Sequence, residues 1–146
     1  MSQQSKILGD AYTVFDGTFH NVHFKLNLAT PIAIVTGDSG TGKTLFYKAS
    51  VEKFNLIYKM EAFSRTDIDT VLYAVRNHIQ TTFVLDRADT YFTRELGEAI
   101  MDRAVDSKFV IFGRELDDMP LISHSLKEMV SVPEGTGSLV TLKDYI

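Results

Sequence analysis

The hydrophobic positions near the N-terminus follow the period of a β-strand. Residues 11–15 form a short β-type run, and the Asp16-Gly17 pair behind it is typical of a two-residue hairpin turn. Beyond this pair, apolar residues occupy every second position and alternate with polar ones: the apolar set is Val22, Phe24, Leu26 and Leu28. A period of two predicts a strand with one solvent-exposed face, so this part of the chain is expected to form an antiparallel hairpin.

After Pro31 the pattern changes to short apolar runs without a polar face, separated by segments of helical spacing. Such runs are typical of strands covered on both sides, and they predict strands at residues 32–36, 82–85 and 109–112. A further strand is predicted at residues 55–60. Helices are predicted from residue 44 to 54, after a cap at Ser64 or Thr66, and after a cap at Thr93. The apolar faces of the second and third helices are expected to contain Ile68, Val71, Leu72, Val75 and Ile79, and Leu96, Ala99, Ile100 and Ala104, respectively.

The remaining segments complete an α/β pattern. A short helix is expected after Pro120, and residues 129–132 and 138–142 predict a final hairpin. Strands that alternate with helices after an antiparallel hairpin indicate an α/β fold, here a three-layer α/β/α sandwich with a mostly parallel central sheet. We expect residues 1–146 to form a single domain. Ligands bind at the carboxyl ends of the strands in such sheets, so chemistry is expected just after residues 36, 60, 85 and 112.

The composition excludes several classes of protein. Apolar residues make up 45% of the chain, which excludes wholesale disorder. The formal net charge is -4, which does not indicate a nucleic-acid partner. The absence of cysteine excludes disulfides and zinc–thiolate sites. No apolar run approaches the roughly 20 residues of a membrane span, and no signal peptide is visible, so a cytoplasmic location is expected.

One motif carries the strongest chemical signal. Between the first buried strand and the following helix stand eight residues that match the phosphate-binding pattern G-x-x-x-x-G-K-[ST]: Gly37, Asp38, Ser39, Gly40, Thr41, Gly42, Lys43 and Thr44. The glycines let successive N–H groups turn towards one anion, and the helix N-terminus adds the positive end of its dipole. Lys43 brings a full charge to the outer phosphates, and the Thr44 hydroxyl is placed to bind Mg²⁺. The motif predicts a site for ATP and Mg²⁺, with GTP less favoured because the chain has no N-K-x-D motif.

Through these residues the chain resembles the P-loop NTPase superfamily, and within it the additional-strand branch of RecA-like and ABC-type ATPases. A second motif of that branch is an apolar strand ending in Asp, which matches residues 82–86 here. The resemblance implies that Asp86 holds Mg²⁺ through water, together with Thr44. It also implies that the strand at 109–112 lies between the phosphate-loop strand and the Asp86 strand. In ABC-type ATPases an aromatic residue near the N-terminal hairpin often stacks on the base, and the candidates are Tyr12, Phe15 and Phe19.

The residue after Asp86 departs from that branch, in which a glutamate that polarises the attacking water usually follows. Here the next residue is Arg87, whose guanidinium cannot act as a base. Two substitutes stay open. Asp89 stands three residues on from Asp86, and Glu61 closes the predicted strand at 55–60, where RecA-type ATPases place a catalytic glutamate.

Three arginines are further candidates for contacts with phosphate. Arg114 follows the strand at 109–112 and is expected to act as a sensor of the terminal phosphate. Arg87 and Arg94 are candidate arginine fingers, supplied to a neighbouring site. The chain has neither an L-S-G-G-type signature nor a helical lid segment, so a second copy or another protein is expected to complete the site.

Three functions follow from these residues. The favoured one is a Mg²⁺-dependent ATPase module that couples its nucleotide state to a partner or an oligomer, with Lys43 among its catalytic residues. A small-molecule or nucleotide kinase that uses the same loop is an alternative. A nucleotide-binding regulatory protein without hydrolysis is the third, because the missing glutamate permits it.

Overall fold

The computed structural model describes residues 12–28, 30–36, 42–56, 58–64, 67–113 and 125–144. Within these ranges the strands are β1 (Tyr12–Phe19), β2 (Val22–Leu28), β3 (Ile32–Thr36), β4 (Met60–Ser64), β5 (Thr82–Asp86), β6 (Lys108–Phe112), β7 (Ser125–Glu134) and β8 (Gly137–Asp144). The α-helices are α1 (Lys43–Glu52), α2 (Ile68–Asn77) and α3 (Arg94–Arg103), and short 3-10 helices lie at Phe54–Leu56 and Ala88–Thr90. In this part of the chain, no helix is long and apolar enough to cross a membrane.

The strands form one mixed sheet in the order β1-β2-β8-β7-β3-β6-β5-β4. From β7 to β4 all neighbouring pairs are parallel, whereas β1 with β2 and β7 with β8 are antiparallel hairpins. The prediction of an α/β fold with an N-terminal antiparallel hairpin and a mostly parallel central section is confirmed. So is the expected position of β6, which lies between β3 and β5.

Two hydrophobic clusters lie on opposite faces of the sheet. The cluster around α1 contains Phe46 together with Phe15, Phe24 and Phe54. The cluster around α2 and α3 contains Val71, Val75, Leu96 and Ile100. Successive residues of β3 alternate between them, with Ala33 and Val35 in the first cluster and Ile32 and Ile34 in the second. Burial on both faces explains the continuous apolar run of this strand.

The turn of the first hairpin lies later than predicted. Asp16 and Gly17 are inside β1, and the two turn residues are His20 and Asn21, with φ of 50° and 63°. Positive φ at both positions is the backbone of a type I′ turn, which asparagine tolerates well. Gly17 has a packing role instead, because a Cβ at this position would lie 2.9 Å from Cζ of Phe15.

The strand predicted at 55–60 is wrong. After Lys53 the chain forms a 3-10 helix, and the strand runs over Met60–Ser64, in register with Thr82–Asp86 of β5. The reason is that Phe54 is fully buried against the ring of Phe15, whereas Leu56 is 82% exposed. The segment is therefore held by one anchoring side chain and not by an alternating strand face.

The helices that follow differ from the predictions mainly at their ends. The cap of α2 is Asp67, whose carboxylate accepts a 3.0 Å hydrogen bond from the Thr70 amide, and not Ser64. The other predicted cap, Thr66, lies outside the described residues. The predicted buried positions Val71, Leu72 and Val75 are confirmed, but Ile79 lies beyond the last helical residue and is half exposed.

The third helix and the presence of a final hairpin agree with the predictions, although β7 and β8 are longer than the predicted strands at 129–132 and 138–142. The Thr93 hydroxyl caps α3 by accepting from the Leu96 amide at 3.1 Å. Leu96, Ala99 and Ile100 are buried and Ala104 is partly buried. The expected helix after Pro120 falls mostly on residues 114–124, which lie outside the described residues, while Ser125 already belongs to β7.

Candidate functional site

The phosphate-loop motif joins a central strand to a helix, as its pattern predicts. β3 ends at Thr36 and α1 begins at Lys43. Residues 37–41 of the motif lie outside the described residues, so the structure places its flanks, Gly42, Lys43 and Thr44. β3 is parallel to both of its neighbours, so the motif follows the carboxyl end of a strand in the middle of the sheet.

Gly42 forms the last step into α1. It has φ 105° and ψ 3°, a left-handed conformation that favours glycine, and its carbonyl accepts from the Phe46 amide at 2.8 Å. Side chains from both hairpins surround it: a Cβ here would lie 3.4 Å from Val140, 3.7 Å from Met129 and 3.8 Å from Phe24. Because the first turn of α1 (residues 43–46) carries no negative charge, the positive end of its dipole is not neutralised within that turn.

Asp86 is a buried carboxylate at the carboxyl edge of the sheet, where β4, β5, β6 and β3 end. It is the last residue of β5, and its side chain is 12% exposed. Ser64, the last residue of β4, donates its hydroxyl to Oδ2 of Asp86 at 2.9 Å. The guanidinium of Arg87 is more distant, with Nε 3.9 Å from the same oxygen.

The side chain of Asp86 faces α1. Along β5, Phe83 and Leu85 belong to the cluster of α2 and α3, whereas Val84 belongs to that of α1, so alternation puts Asp86 on the α1 face. α1 packs against β4 and β5. The effect of Asp86 on Tyr47, one turn into α1, agrees with this placement: burial and then the negative charge of Asp86 raise the pKa of the Tyr47 phenol.

The turn behind Asp86 is tightly built. Arg87 has φ 54° and ψ 42°, and its carbonyl accepts from the amide and the hydroxyl of Thr90 at 3.1 Å and 2.7 Å. The hydroxyl of Tyr91, a buried residue, donates to the carbonyl of Asp86 at 2.9 Å. These bonds hold the end of β5 and so restrict the backbone that carries the carboxylate.

Glu61 is not where the prediction put it. Because β4 begins at Met60, Glu61 is at the amino end of that strand, three residues before Ser64, and it pairs with Phe83. Alternation turns it to the face opposite α1, and its carboxylate contacts the imidazole of His78 behind α2. The prediction that Glu61 lies at the carboxyl edge is therefore wrong. From this position Glu61 does not have the role of base that was predicted for it.

Of the other predicted site residues, the structure describes some and leaves others outside the described part of the chain. Asp89 lies in the 3-10 helix directly behind Arg87, in the loop where it was expected, and its side chain is outside the described part. Arg87 is half exposed, and Arg94 is the exposed first residue of α3. Arg114 is outside the described residues; β6 before it ends at Phe112, next to the ends of β3 and β5.

Two of the three aromatic residues proposed to stack on a base, Phe15 and Phe19, belong to the core. Phe15 and Phe19 are buried, and Phe15 packs edge-on against Phe46 of α1. A base-stacking role for these two is therefore wrong, and the side chain of Tyr12 lies outside the described residues. Conversely, Ser64 and Tyr91 contribute to the site although the sequence did not single them out for it.

The described part of the site offers oxygen donors rather than a complete set of metal ligands. Among the described residues, no group of three His, Asp or Glu side chains could hold a metal by itself. Asp86 offers a carboxylate on the α1 face and Thr44 a hydroxyl in the first turn of that helix, and both are oxygen ligands of the kind that Mg²⁺ takes beside water and phosphate. A separate cleft of about 320 Å³ between α2 and α3 is lined by Arg76, Glu95 and Arg103 and lies on the opposite face.

No protein-family model matches the chain, and no curated protein is significantly similar to it.

Proposed function

We propose that this protein is a Mg²⁺-dependent ATP-binding module that hydrolyses ATP slowly and couples its nucleotide state to a second copy or another protein. The observation that carries the proposal is the placement of Asp86, a buried carboxylate on the same sheet face as α1, the helix that opens with Lys43 and Thr44. The insertion of β6 between β3 and β5 supports the additional-strand arrangement within a three-layer P-loop fold.

In this proposal the phosphates bind to the backbone N–H groups of residues 37–44. Lys43 contacts the outer phosphates, and the Thr44 hydroxyl and Asp86, through water, hold the ion. Mg²⁺ neutralises phosphate charge when it is bound. The chain contributes orientation and charge stabilisation, with no covalent intermediate.

Slow hydrolysis follows from the position of the carboxylates. Glu61 lies at the amino end of β4, and Arg87 occupies the position behind Asp86. Asp89 is the remaining candidate for a general base, three residues behind Asp86 in the sequence. The same geometry favours a second candidate function, a nucleotide-binding regulatory protein without turnover, and the measured rate of phosphate release separates the two.

A partner is proposed because the part of the chain that the structure describes provides few groups for the terminal phosphate. Arg87 has a half-exposed guanidinium at the carboxyl edge, which suits it to act on a neighbouring site, and Arg94 is a second candidate. Arg114 is proposed as the sensor within the same chain. Size-exclusion chromatography with light scattering, with and without ATP and Mg²⁺, tests this part: a nucleotide-dependent assembly supports it, and a fully active monomer contradicts it.

The test of binding is a panel of ATP, GTP and AMP, measured by calorimetry and by phosphate release. Lys43→Ala is the variant and Lys48→Ala, an exposed lysine on the same helix, is the matched control. Loss of a charge-assisted contact is expected to weaken ATP binding about 10- to 100-fold in Lys43→Ala. Lys48→Ala is expected to bind like the wild type, and equal loss in both variants contradicts a specific phosphate contact.

A further inference from the structure

Two hydroxyl groups join the ends of β4 and β5 at the carboxyl edge. The Ser64 hydroxyl donates to Oδ2 of Asp86 at 2.9 Å. The Tyr91 hydroxyl lies 2.9 Å from the carbonyl oxygen of Asp86 and 3.4 Å from that of Phe63. The first contact engages a side chain and the second engages backbone, so Ser64 is the one that acts on the carboxylate itself.

The register explains why Ser64 reaches Asp86. The two residues are partners in the parallel ladder between β4 and β5, and they are the last residues of their strands. Ala62 packs with the α1 cluster and Phe63 with the opposite one, so alternation puts Ser64 on the α1 face together with Asp86. The Ser64 hydroxyl is not used to cap α2, because Asp67 has that role.

The hydrogen bond limits the motion of the carboxylate. A hydroxyl that donates to an ionised carboxylate forms a charge-assisted bond, which is stronger than a bond between neutral groups. With Oδ2 held by Ser64, the carboxylate plane of Asp86 cannot rotate about its Cβ–Cγ bond without breaking that contact. The side chain is largely withdrawn from water, so few water molecules are at hand to replace the lost bond.

We propose that Ser64 is a positioning residue for the Mg²⁺ site: its hydroxyl fixes the orientation in which Asp86 receives the hydrated ion that accompanies the nucleotide. This inference rests on the proposed function, because it assigns a role in the binding of ATP with Mg²⁺. It assigns no chemical step to Ser64, which acts through Asp86.

A purely structural role of Ser64 predicts a different result. If the hydroxyl only joins two strand ends, its removal changes stability and leaves the Mg²⁺ dependence of nucleotide binding as in the wild type. If it orients Asp86, its removal raises the Mg²⁺ concentration needed for tight binding and has little effect on the weak binding that persists in EDTA. The readout is therefore the ratio of ATP affinities with and without Mg²⁺.

The experiment uses the full chain, a fluorescent ATP analogue and a Mg²⁺ titration. Ser64→Ala is expected to raise the half-saturating Mg²⁺ concentration about tenfold, as loss of a partner of a metal-binding group commonly does. Ser64→Thr, which keeps a hydroxyl, is expected to stay within about threefold of the wild type. Ser131→Ala, an exposed serine on β7, is the neutral control.

Circular dichroism and thermal unfolding verify that each variant is folded. If Ser64→Ala does not fold, Ser64→Cys replaces it, because a thiol is similar in size and a poor donor, and the same shift is expected. A wild-type Mg²⁺ dependence in the folded hydroxyl-free variant overturns the role of Ser64 and leaves the proposed function intact. A wild-type protein that does not bind the analogue overturns both.

Discussion

Gly137 lies so close to the carbonyl group of Asn21 that a Cβ at position 137 would stand 1.9 Å from its oxygen. The same oxygen accepts a 3.0 Å hydrogen bond from the amide of Ser138. Through this contact the turn of the first hairpin meets the start of β8, and the parallel pairing of β2 with β8 begins there. The two hairpins thereby form one continuous section of the sheet, and Val140, Met129 and Phe24 from this section surround Gly42.

Gly137→Ala is expected to destabilise the fold by about 1–3 kcal/mol, because the new methyl group meets backbone atoms that cannot move without breaking the contact between the hairpins. Urea unfolding measures the change. Gly135→Asn is the matched control in the same turn: Gly135 has φ 59°, which asparagine tolerates, and a Cβ there meets nothing within 4 Å. Equal loss of stability in both variants would contradict the close approach at Gly137.

Stability is expected to depend on pH through His23. Its ring lies 2.6 Å from Asp16 of β1 and 3.3 Å from Glu134 of β7. The hydrogen bond to Asp16 raises the pKa of the imidazole, and the hydrogen bond to Glu134 adds to this effect, whereas burial opposes it. Lys25, which pairs with Asp16 in the β1–β2 ladder, is the nearby positive charge. Because the pKa of His23 is higher in the folded state than in the unfolded state, protonation of the ring stabilises the native state at pH values below the unfolded-state pKa of 6.5. This contribution is lost as the pH rises through the folded-state pKa.

His23→Gln is the variant that tests this contribution. The difference in unfolding free energy between wild type and variant is expected to be larger at about pH 5.5 than at about pH 8. His20→Gln, at the exposed turn of the same hairpin, is the matched histidine substitution with which the trend of His23→Gln is compared. A wild-type advantage that does not change with pH would exclude the proposed link.

The packing of Phe54–Leu56, the segment after α1, distinguishes the observed 3-10 helix from the predicted strand. Phe54→Ala is expected to cost about 3–5 kcal/mol, because the ring is fully buried against Phe15. Leu56→Ala is expected to change stability by less than about 0.5 kcal/mol, since Leu56 is exposed. Urea unfolding of both variants decides the matter: a large loss in Leu56→Ala would favour the strand over the 3-10 helix.

The two carboxylates that the sequence offers as bases are expected to behave differently. Asp89→Asn is expected to lower the rate of phosphate release about 100-fold, the lower end of the range for a lost general base. Glu61→Gln is expected to leave that rate unchanged, because Glu61 contacts His78 at the amino edge of the sheet. Single-turnover measurements with ATP and Mg²⁺ make the comparison, and the reverse order would restore Glu61 as the base.

The parts of the fold that were predictable are those whose burial leaves a pattern in the sequence. β3, β5 and β6 are covered on both faces, so their apolar runs predict their bounds to within a residue. β4 is at the end of the sheet and only Met60 is buried, so its run is weak and the predicted strand ended where the real one begins. That shift is what misplaced Glu61.

The site was predictable to a similar extent. The spacing of a glycine-rich motif and of an apolar run ending in Asp86 identifies both flanks of the site, because local chemistry determines each of them. The sequence favours Ser64 as a helix cap, since a serine ahead of a helix is typical of one. Its bond to Asp86 depends on the pairing of β4 with β5, which a single sequence does not reveal. The same is true of Phe15 and Phe19, whose burial depends on the packing of the hairpin against α1.

Calorimetric titration of the wild-type chain and of Asp86→Asn with ATP, in Mg²⁺ and in EDTA, measures whether the chain binds nucleotide and whether Asp86 helps to hold the ion. We expect saturable binding of one nucleotide per chain that is about tenfold or more tighter with Mg²⁺ in the wild type, and little gain from Mg²⁺ in Asp86→Asn. Absence of any binding heat from the wild type with ATP and Mg²⁺ would contradict the proposed nucleotide site.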